Sequence, residues 1–393
     1  SACLVGSEMC IRDRNNKYYK YQLGIIVLSG IVESIIAILQ RFSFLESNHS
    51  LFSVTGTFAN PGPLGGFLAI CLVVSVGLYI GRNSFGLIGT LVCLIIFVGL
   101  LLTDSRAGWI AAMSGILFLL KNKIHLSWKR KCMLSMVLLF VCVVMYLHKK
   151  VSADGRLLIW YCTMDMIADK PFLGYGSNGW IANYMYYQAK FFEEHPNSDY
   201  AMVADNAAYP YNEFLWIWTE YGIIGLVLVV GLIYWGIAYK SHNRYAYTFR
   251  ATLVCFTVFA CFSYPFHLLL SDTPQRMDIA AQNSFMNDPP EKALEVMEEA
   301  AKIIPTCELF CDMGDTYRKL NQYKKAEQCY QLATNMIPSR ITPKYKLFVL
   351  YKDSGDSLSA VKIANEIMTM KIKIEGSHAL KMKGLVRMYL LEH

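Results

Sequence analysis

Up to Leu270 the chain alternates long apolar runs with short polar or charged segments; beyond it apolar positions thin out and recur with a helical period. The runs lie at 22–40, 61–80, 86–103, 107–120, 132–148, 212–238 and 251–270. A helix crossing about 30 Å of hydrocarbon needs roughly 17–25 apolar residues, so all but the short 107–120 run reach or approach the length of a span. One interruption is larger than the others. Residues 152–211 are polar, aromatic and acidic, with seven Asp or Glu against three Lys or Arg. The pattern predicts an all-α protein: a polytopic transmembrane helical bundle over 15–270, carrying a polar loop at 149–211, and then a helical domain in water over 271–393.

Charge decides which way the loops face. If 107–120 crosses, then Lys17, Lys20, Arg82, the Lys121–Lys131 cluster and the trio Lys240, Arg244 and Arg250 share one side. The opposite short loops hold only Arg41 and Arg106. That asymmetry is the positive-inside signature, and it puts loops 41–60, 103–106 and 149–211 and the tail after Leu270 on the outer face. Composition agrees: 54% of residues are apolar and 17% charged, against about a quarter charged in soluble chains. The net charge of +7 comes from bases flanking the apolar runs and calls for no nucleic acid. The 12 cysteines are scattered, with no CxxC pair or zinc spacing, so no metal is expected. Residues 4–14 resemble the translation of a sequencing-library adapter. Residues 1–14 are therefore set aside as a scar, and the native chain is expected to enter near Asn15, already in mid-protein.

Within the tail, residues 307–338 fit the tetratricopeptide pattern, with Phe310, Met313, Gly314, Tyr317, Ala326, Tyr330, Ala333 and Pro338 at its signature offsets. Small residues let paired helices approach, aromatics fill the groove, and the proline ends the second helix. Weaker copies precede it (Ala293, Ala300, Pro305) and follow it (Leu347, Tyr351, Ala360). Three repeats are about the minimum for a stable α-solenoid. Such a stack offers a surface to a protein partner and carries no chemistry itself.

Candidate chemistry sits beside the outer loops. Arg106, in Thr103-Asp104-Ser105-Arg106-Ala107-Gly108-Trp109, lies at the outer end of a span. An arginine near hydrocarbon either marks a site or snorkels in a pair, here with Asp104. Arg156 opens the long loop, one helical turn before Trp160. Guanidinium forks hold phosphate oxygens bidentately and stabilise a departing anion, so two on one face suit a diphosphate. Gly174 and Gly176 suit a tight turn; with no strand or Walker lysine they make no nucleotide loop. Tyr211, Asn212, Glu213 and Glu220 gather where the next span begins. One of these acids is read as a base toward a hydroxyl, or both as helix-start acids favoured by the macrodipole. His195 and His267 have no partner at metal-ligand spacing and read as structural.

Taken in chain order, Gly56-Thr57-Phe58-Ala59-Asn60-Pro61, Ser105-Arg106, Arg156…Trp160, Pro171-Phe172-Leu173-Gly174-Tyr175-Gly176, Asn212-Glu213-Phe214-Leu215…Glu220-Tyr221-Gly222 and Ser263-Tyr264-Pro265-Phe266 form a recognisable series. From Glu33 onward the chain resembles the O-antigen ligase and Wzy-type polymerase superfamily of bacterial envelope glycosyltransferases, in the subgroup with a tetratricopeptide tail. The resemblance implies a GT-C-like fold in the bacterial inner membrane, with the large loop and the repeats periplasmic. It implies transfer of a glycan from a polyprenyl-diphosphate carrier to lipid A core, a growing glycan or a protein hydroxyl, with no cofactor, metal or nucleotide sugar. Carried onto this sequence, Arg106 and Arg156 grip the diphosphate, and Tyr211, Asn212 and Glu213 position or deprotonate the acceptor. Ser105, Trp160, Gly174, Gly176 and Glu220 complete the substrate site.

The chain departs from the family at Tyr211, where many members carry histidine; a phenol with a pKa of about 10 is a poor base at neutral pH. It departs again after Leu270, where a further span is usual, so a truncated copy that also lacks upstream spans is expected. Ligation, polymerisation and protein glycosylation stay open on this reading. Two rivals of another class are a transporter, for which Glu33 is the mid-span ionisable residue, and a non-catalytic membrane scaffold presenting the repeats.

Overall fold

Apolar runs of this length bury or expose a whole helical surface, and each run within the described residues contains a helix. The computed structural model describes residues 2–80, 86–121, 150–239, 245–266, 273–373 and 376–392. Among these it contains α-helices and one short 3-10 turn but no strand. The first helices are α1 (Ala2–Arg41), α2 (Pro61–Ile80), α3 (Leu87–Leu102) and α4 (Arg106–Leu120). The polar loop holds α5 (Lys150–Asp169), α6 (Gly179–Glu194) and the 3-10 turn Asp199–Met202, followed by α7 (Glu213–Ala238) and α8 (Ala246–Ala260). The tail is α9 (Thr273–Asn287), α10 (Pro290–Ile303), α11 (Cys307–Lys319), α12 (Tyr323–Met336), α13 (Ile341–Asp353), α14 (Ser357–Thr369) and α15 (Ser377–Glu392).

Tyr18–Arg41, Pro61–Ile80 and Glu213–Ala238 are long and apolar enough to cross a membrane. Helices α3, α4 and α8 are apolar but shorter, at 16, 15 and 15 residues, which is about 22–24 Å of rise. The run at 132–148 lies outside the described residues, as do Arg82, Lys123, Lys129, Arg130, Lys131, Lys240 and Arg244, the bases that orient the loops. The last run differs from expectation: α8 ends at Ala260, not near 270. Proline disfavours helical backbone in the residue before it, and Ser263-Tyr264-Pro265 follows within one turn.

The described chain forms two compact units. The first comprises residues up to 145 with 211–214 and 227–269; the second comprises 146–210, 215–226 and 270–393. In the first, α2 packs against α1, α3, α4 and α8, with Leu64, Leu68, Cys71 and Val73 fully buried. Helices α2 and α4 touch through glycine: a Cβ on Gly108 would come within 2.6 Å of the Gly65 carbonyl oxygen. Small residues at such a crossing let two backbones approach, as in membrane helix pairs generally.

The second unit joins the loop to the tail. Leu158, Met166, Trp180, Tyr184 and Phe192 of the loop lie in the same apolar core as Met297, Tyr317 and Tyr330 of the repeats. The tail folds as helix pairs α9–α10, α11–α12 and α13–α14, followed by α15. Gly314 lies under the Tyr330 ring, so the small-against-aromatic offset of the tetratricopeptide pattern is realised in packing. A groove of about 640 Å³ opens between Phe285, Cys311, Asp312, Arg340 and Lys346.

Helix α7 is broken. Gly222 has φ 65° and ψ −173°, a region populated by glycine almost alone. The break exposes backbone groups, and residues 170–176 satisfy them. The amides of Tyr175 and Gly176 donate to the Thr219 and Glu220 carbonyls at 2.8 and 2.9 Å. The Ile223 amide donates to Pro171 O at 2.9 Å, and the Trp218 indole donates to the same oxygen at 3.1 Å. Gly174, with φ 70°, sits so close to the Glu220 carbonyl that a Cβ would collide with it, and a Cβ on Gly222 would collide with the Phe172 carbonyl.

Gly222→Ala is therefore expected to cost about 3 kcal/mol, from forbidden backbone plus overlap, read as a lowered thermal midpoint in nanodiscs. A second expectation concerns Asp312, whose carboxyl burial pushes up from 3.8 to about 6 despite nearby Lys346. The folded state holds that proton more tightly than the unfolded one, so stability falls as pH rises through this interval. Asp312→Asn should raise the thermal midpoint at neutral pH, with the gain shrinking toward pH 4; an unchanged midpoint at pH 7 would contradict it.

Candidate functional site

Parts of four of the six sequence landmarks lie in the first unit, and direct contacts join three of them. Asn60-Pro61 begins α2: Asn60 Oδ1 accepts from the Gly62 amide at 3.0 Å, and Pro61 takes the first helical position, where its missing N–H costs nothing. The same Asn60 donates through Nδ2 to the Tyr264 hydroxyl at 2.8 Å. The Tyr264 ring meets the Tyr211 ring edge-on, with centroids 5.4 Å apart. Glu213 is buried at the start of α7, and its Oε1 accepts from the Phe266 amide at 2.7 Å. Asn212 caps this helix start, its Oδ1 accepting from the Phe214 amide at 3.0 Å. Tyr211 itself has φ 52°, a left-handed conformation that a non-glycine residue holds only where its surroundings enforce it.

Ser105 and Arg106 belong to the same unit and meet α2 farther along, at Gly65. Ser105 caps α4, accepting from the Gly108 amide at 3.3 Å, and is packed against Gly65, five residues after Asn60. Arg106 is the first residue of α4 and is half-buried. A cation at a helix N-terminus opposes the macrodipole, so the guanidinium and the first amides of α4 together make an electropositive spot suited to an anion. Glu33, the ionisable residue a transporter would need in mid-span, is instead a tie. Its oxygens accept from the Thr57 amide at 3.1 Å and the Thr57 hydroxyl at 2.5 Å. Gln40 does the same for the next turn, accepting from the Thr55 and Gly56 amides at 2.9 and 2.8 Å.

The remaining candidates fall in the second unit. Arg156 is half-buried on α5. One turn on, the Trp160 indole donates to Pro210 O at 2.8 Å, holding the residue that precedes Tyr211. Gly174 and Gly176 lie on the strap over the α7 break, and Glu220, which is buried, supplies a backbone acceptor there. Beside the strap, the Tyr187 hydroxyl donates to Asp169 at 2.5 Å and pairs with the Tyr175 hydroxyl at 2.6 Å. Burial and the Asp169 hydrogen bond both push the Tyr187 phenol up, so it keeps its proton. His195 is exposed, stacks on Phe191 and pairs through Nδ1 with the Phe191 carbonyl at 3.1 Å; His267 lies outside the described residues.

Sequence reasoning assigned no role to Asn60, Tyr264 or Glu213's partner Phe266. The Asn-Pro pair ahead of an apolar run is a legible helix-start signal. Its second bond, to a residue some two hundred positions later, leaves no trace in the sequence.

Comparison with known proteins places part of this set of residues in a family segment. Residues 90–230 match the family described as O-antigen ligase, and residues 308–340 match the tetratricopeptide repeat. A Rickettsia conorii protein named "Putative polysaccharide ligase RC0486" is 35% identical over 96 residues, covering 23% of this chain and 20% of that protein. The chain thus spans about a fifth of that relative's length. No solved structure matches. The matched segment contains Ser105, Arg106, Arg156, Tyr211, Asn212, Glu213 and Glu220.

If the Asn60–Tyr264 bond ties the cluster, Asn60→Ala and Tyr264→Phe should each destabilise the protein. A double-mutant cycle on thermal or denaturant midpoints should give a coupling of about 1 kcal/mol. Additive effects would show that the two landmarks are held together by something else.

Proposed function

We propose that this chain, which carries an O-antigen ligase domain and a tetratricopeptide tail, is a membrane glycosyltransferase moving a glycan from a polyprenyl-diphosphate carrier to an acceptor hydroxyl at the periplasmic face. The observation that supports the proposal is the convergence of Asn60, Tyr211–Glu213 and Tyr264–Phe266 in one cluster, with Tyr211–Glu213, like Ser105–Arg106 of the same unit, inside the family-matched segment. In this reading the acceptor oxygen attacks the anomeric carbon, and the bond from that carbon to the diphosphate oxygen breaks. The diphosphate departs with the electron pair, and the hydroxyl proton passes to a base or to water. Arg106 and Arg156 meet the charge that develops on the leaving group, where planar forks act best. Tyr211 and Asn212 orient the acceptor. Glu213 already receives the Phe266 amide on one oxygen, so it acts first as a positioning residue for the Tyr264–Phe266 segment. The donor is held by the membrane lipid phase through its polyprenyl chain. Lipid A core, a growing glycan or a protein hydroxyl would each serve as acceptor.

Arg106→Ala and Arg156→Ala, each in the full chain with a lipid-linked glycan donor, should lower transfer by about a hundredfold or more. Lysine at either position should restore part of it, because charge returns without the fork. Full transfer in both alanine variants would remove the arginines from the chemistry, and no transfer by the unaltered chain would favour a non-catalytic scaffold.

A further inference from the structure

The tetratricopeptide tail already has an occupant. Residues 204–206, near the end of the polar loop before Tyr211, are held by the repeats at several points. Asp205 accepts from Arg340 Nη2 at 2.9 Å and from Lys373 Nζ at 2.9 Å. Lys373 also donates to the Ala204 carbonyl at 3.2 Å. The other arm of the Arg340 fork pairs with Glu308, which in turn accepts from the Asn206 side-chain amide. Asn206 Oδ1 accepts from the Cys307 amide at 3.2 Å, supplying a partner to one of the orphan donors at the start of α11. Beneath this lies Gln188, a fully buried amide on α6. Its Nε2 donates to Asp205 O at 3.2 Å and to Met336 O, at the end of α12, at 2.7 Å. Its Oε1 accepts from the Tyr184 hydroxyl at 2.7 Å. At the far end, Trp160 holds Pro210 O.

This is more than an exposed ion pair. Isolated surface pairs contribute little, whereas a forked arginine in a network that also uses backbone acceptors and a buried amide fixes a path. Burial raises the Asp205 carboxyl, but the Lys373 hydrogen bond and charge outweigh it and hold the group below its ordinary value.

We propose that the repeats act on their own chain: Arg340, Lys373 and Glu308, over the buried Gln188, form a clasp that sets the course of residues 204–210 into Tyr211. The tail is then a positioning element for the acceptor side of the transfer site, besides any outside partner it recruits. The clasp itself is a matter of this unit's contacts; its consequence for catalysis rests on the transferase reading above.

The test uses the full chain in nanodiscs and reads amide hydrogen exchange across 203–210 and across α11–α12, alongside glycan transfer. Arg340→Ala/Lys373→Ala should speed exchange across 203–210 by about tenfold while α11–α12 stay protected. Asp205→Asn removes the charge from the loop side and leaves the repeats intact; it should speed exchange in the same segment, which keeps the test valid if the double variant unfolds. Arg340→Lys should retain most of the protection. Transfer should fall in step with lost protection, through kcat more than through the KM for the lipid-linked donor. Unchanged exchange at 203–210 in Asp205→Asn and in the double variant would overturn the clasp. Loosened exchange with undiminished transfer would overturn its positioning role. If the unaltered protein transfers no glycan, the transferase reading fails, and the exchange data still decide the clasp.

Discussion

Backbone polar groups set free by a broken helix must find new partners, and nowhere is this stricter than at a membrane. The break at Gly222 and the strap at 170–176 satisfy that demand together. Each contributes a glycine in left-handed conformation where the other's carbonyl comes too close for any side chain. Each supplies the hydrogen-bond partners that the other lacks. Because these are main-chain bonds, they fix the end of α5 against the start of α7 independently of the side chains around them. Gly174, Gly176 and Glu220, which the sequence marks beside a substrate, are in the structure first of all parts of this joint.

The candidate site is built on the same economy. Many of its polar residues have a structural duty: Asn60 caps a helix and reaches Tyr264, Ser105 caps another, and Asn212 a third. Glu213 and Glu33 each bind a main-chain amide of a distant segment. The Asn60–Tyr264 and Glu213–Phe266 bonds hold three landmarks together, while Arg106, in the same unit, adds its charge to the positive end of α4. A cluster whose members brace one another is rigid, and rigidity is what charge stabilisation in a transition state requires.

Much of this was legible in the sequence. Runs at 61–80 and 212–238 are helices with nearly those bounds, and the offsets from Phe310 to Pro338 correctly marked a helix pair with Gly314 under Tyr330. Helix periodicity and tetratricopeptide spacing are local properties, so one chain suffices to read them. The break in α7 was hidden because Gly222 sits inside a long run with apolar residues continuing on both sides; glycine alone does not announce a positive φ. Gln188 was hidden too, since a polar residue in a polar loop gives no hint of burial. The union of loop and repeats was likewise unreadable. Alternating composition at 152–211 shows where water or protein must lie, but not which later segment will cover Trp180 and Tyr184.

That shared core has a consequence for biogenesis. Leu158, Met166 and Trp180 leave the ribosome long before Met297, Tyr317 and Tyr330, against which they will be buried. Until those repeats are made, these loop residues lack the apolar partners that bury them and stay open to chaperones and proteases. A chain stopped short of its repeats would leave the loop without the half of the core that covers it.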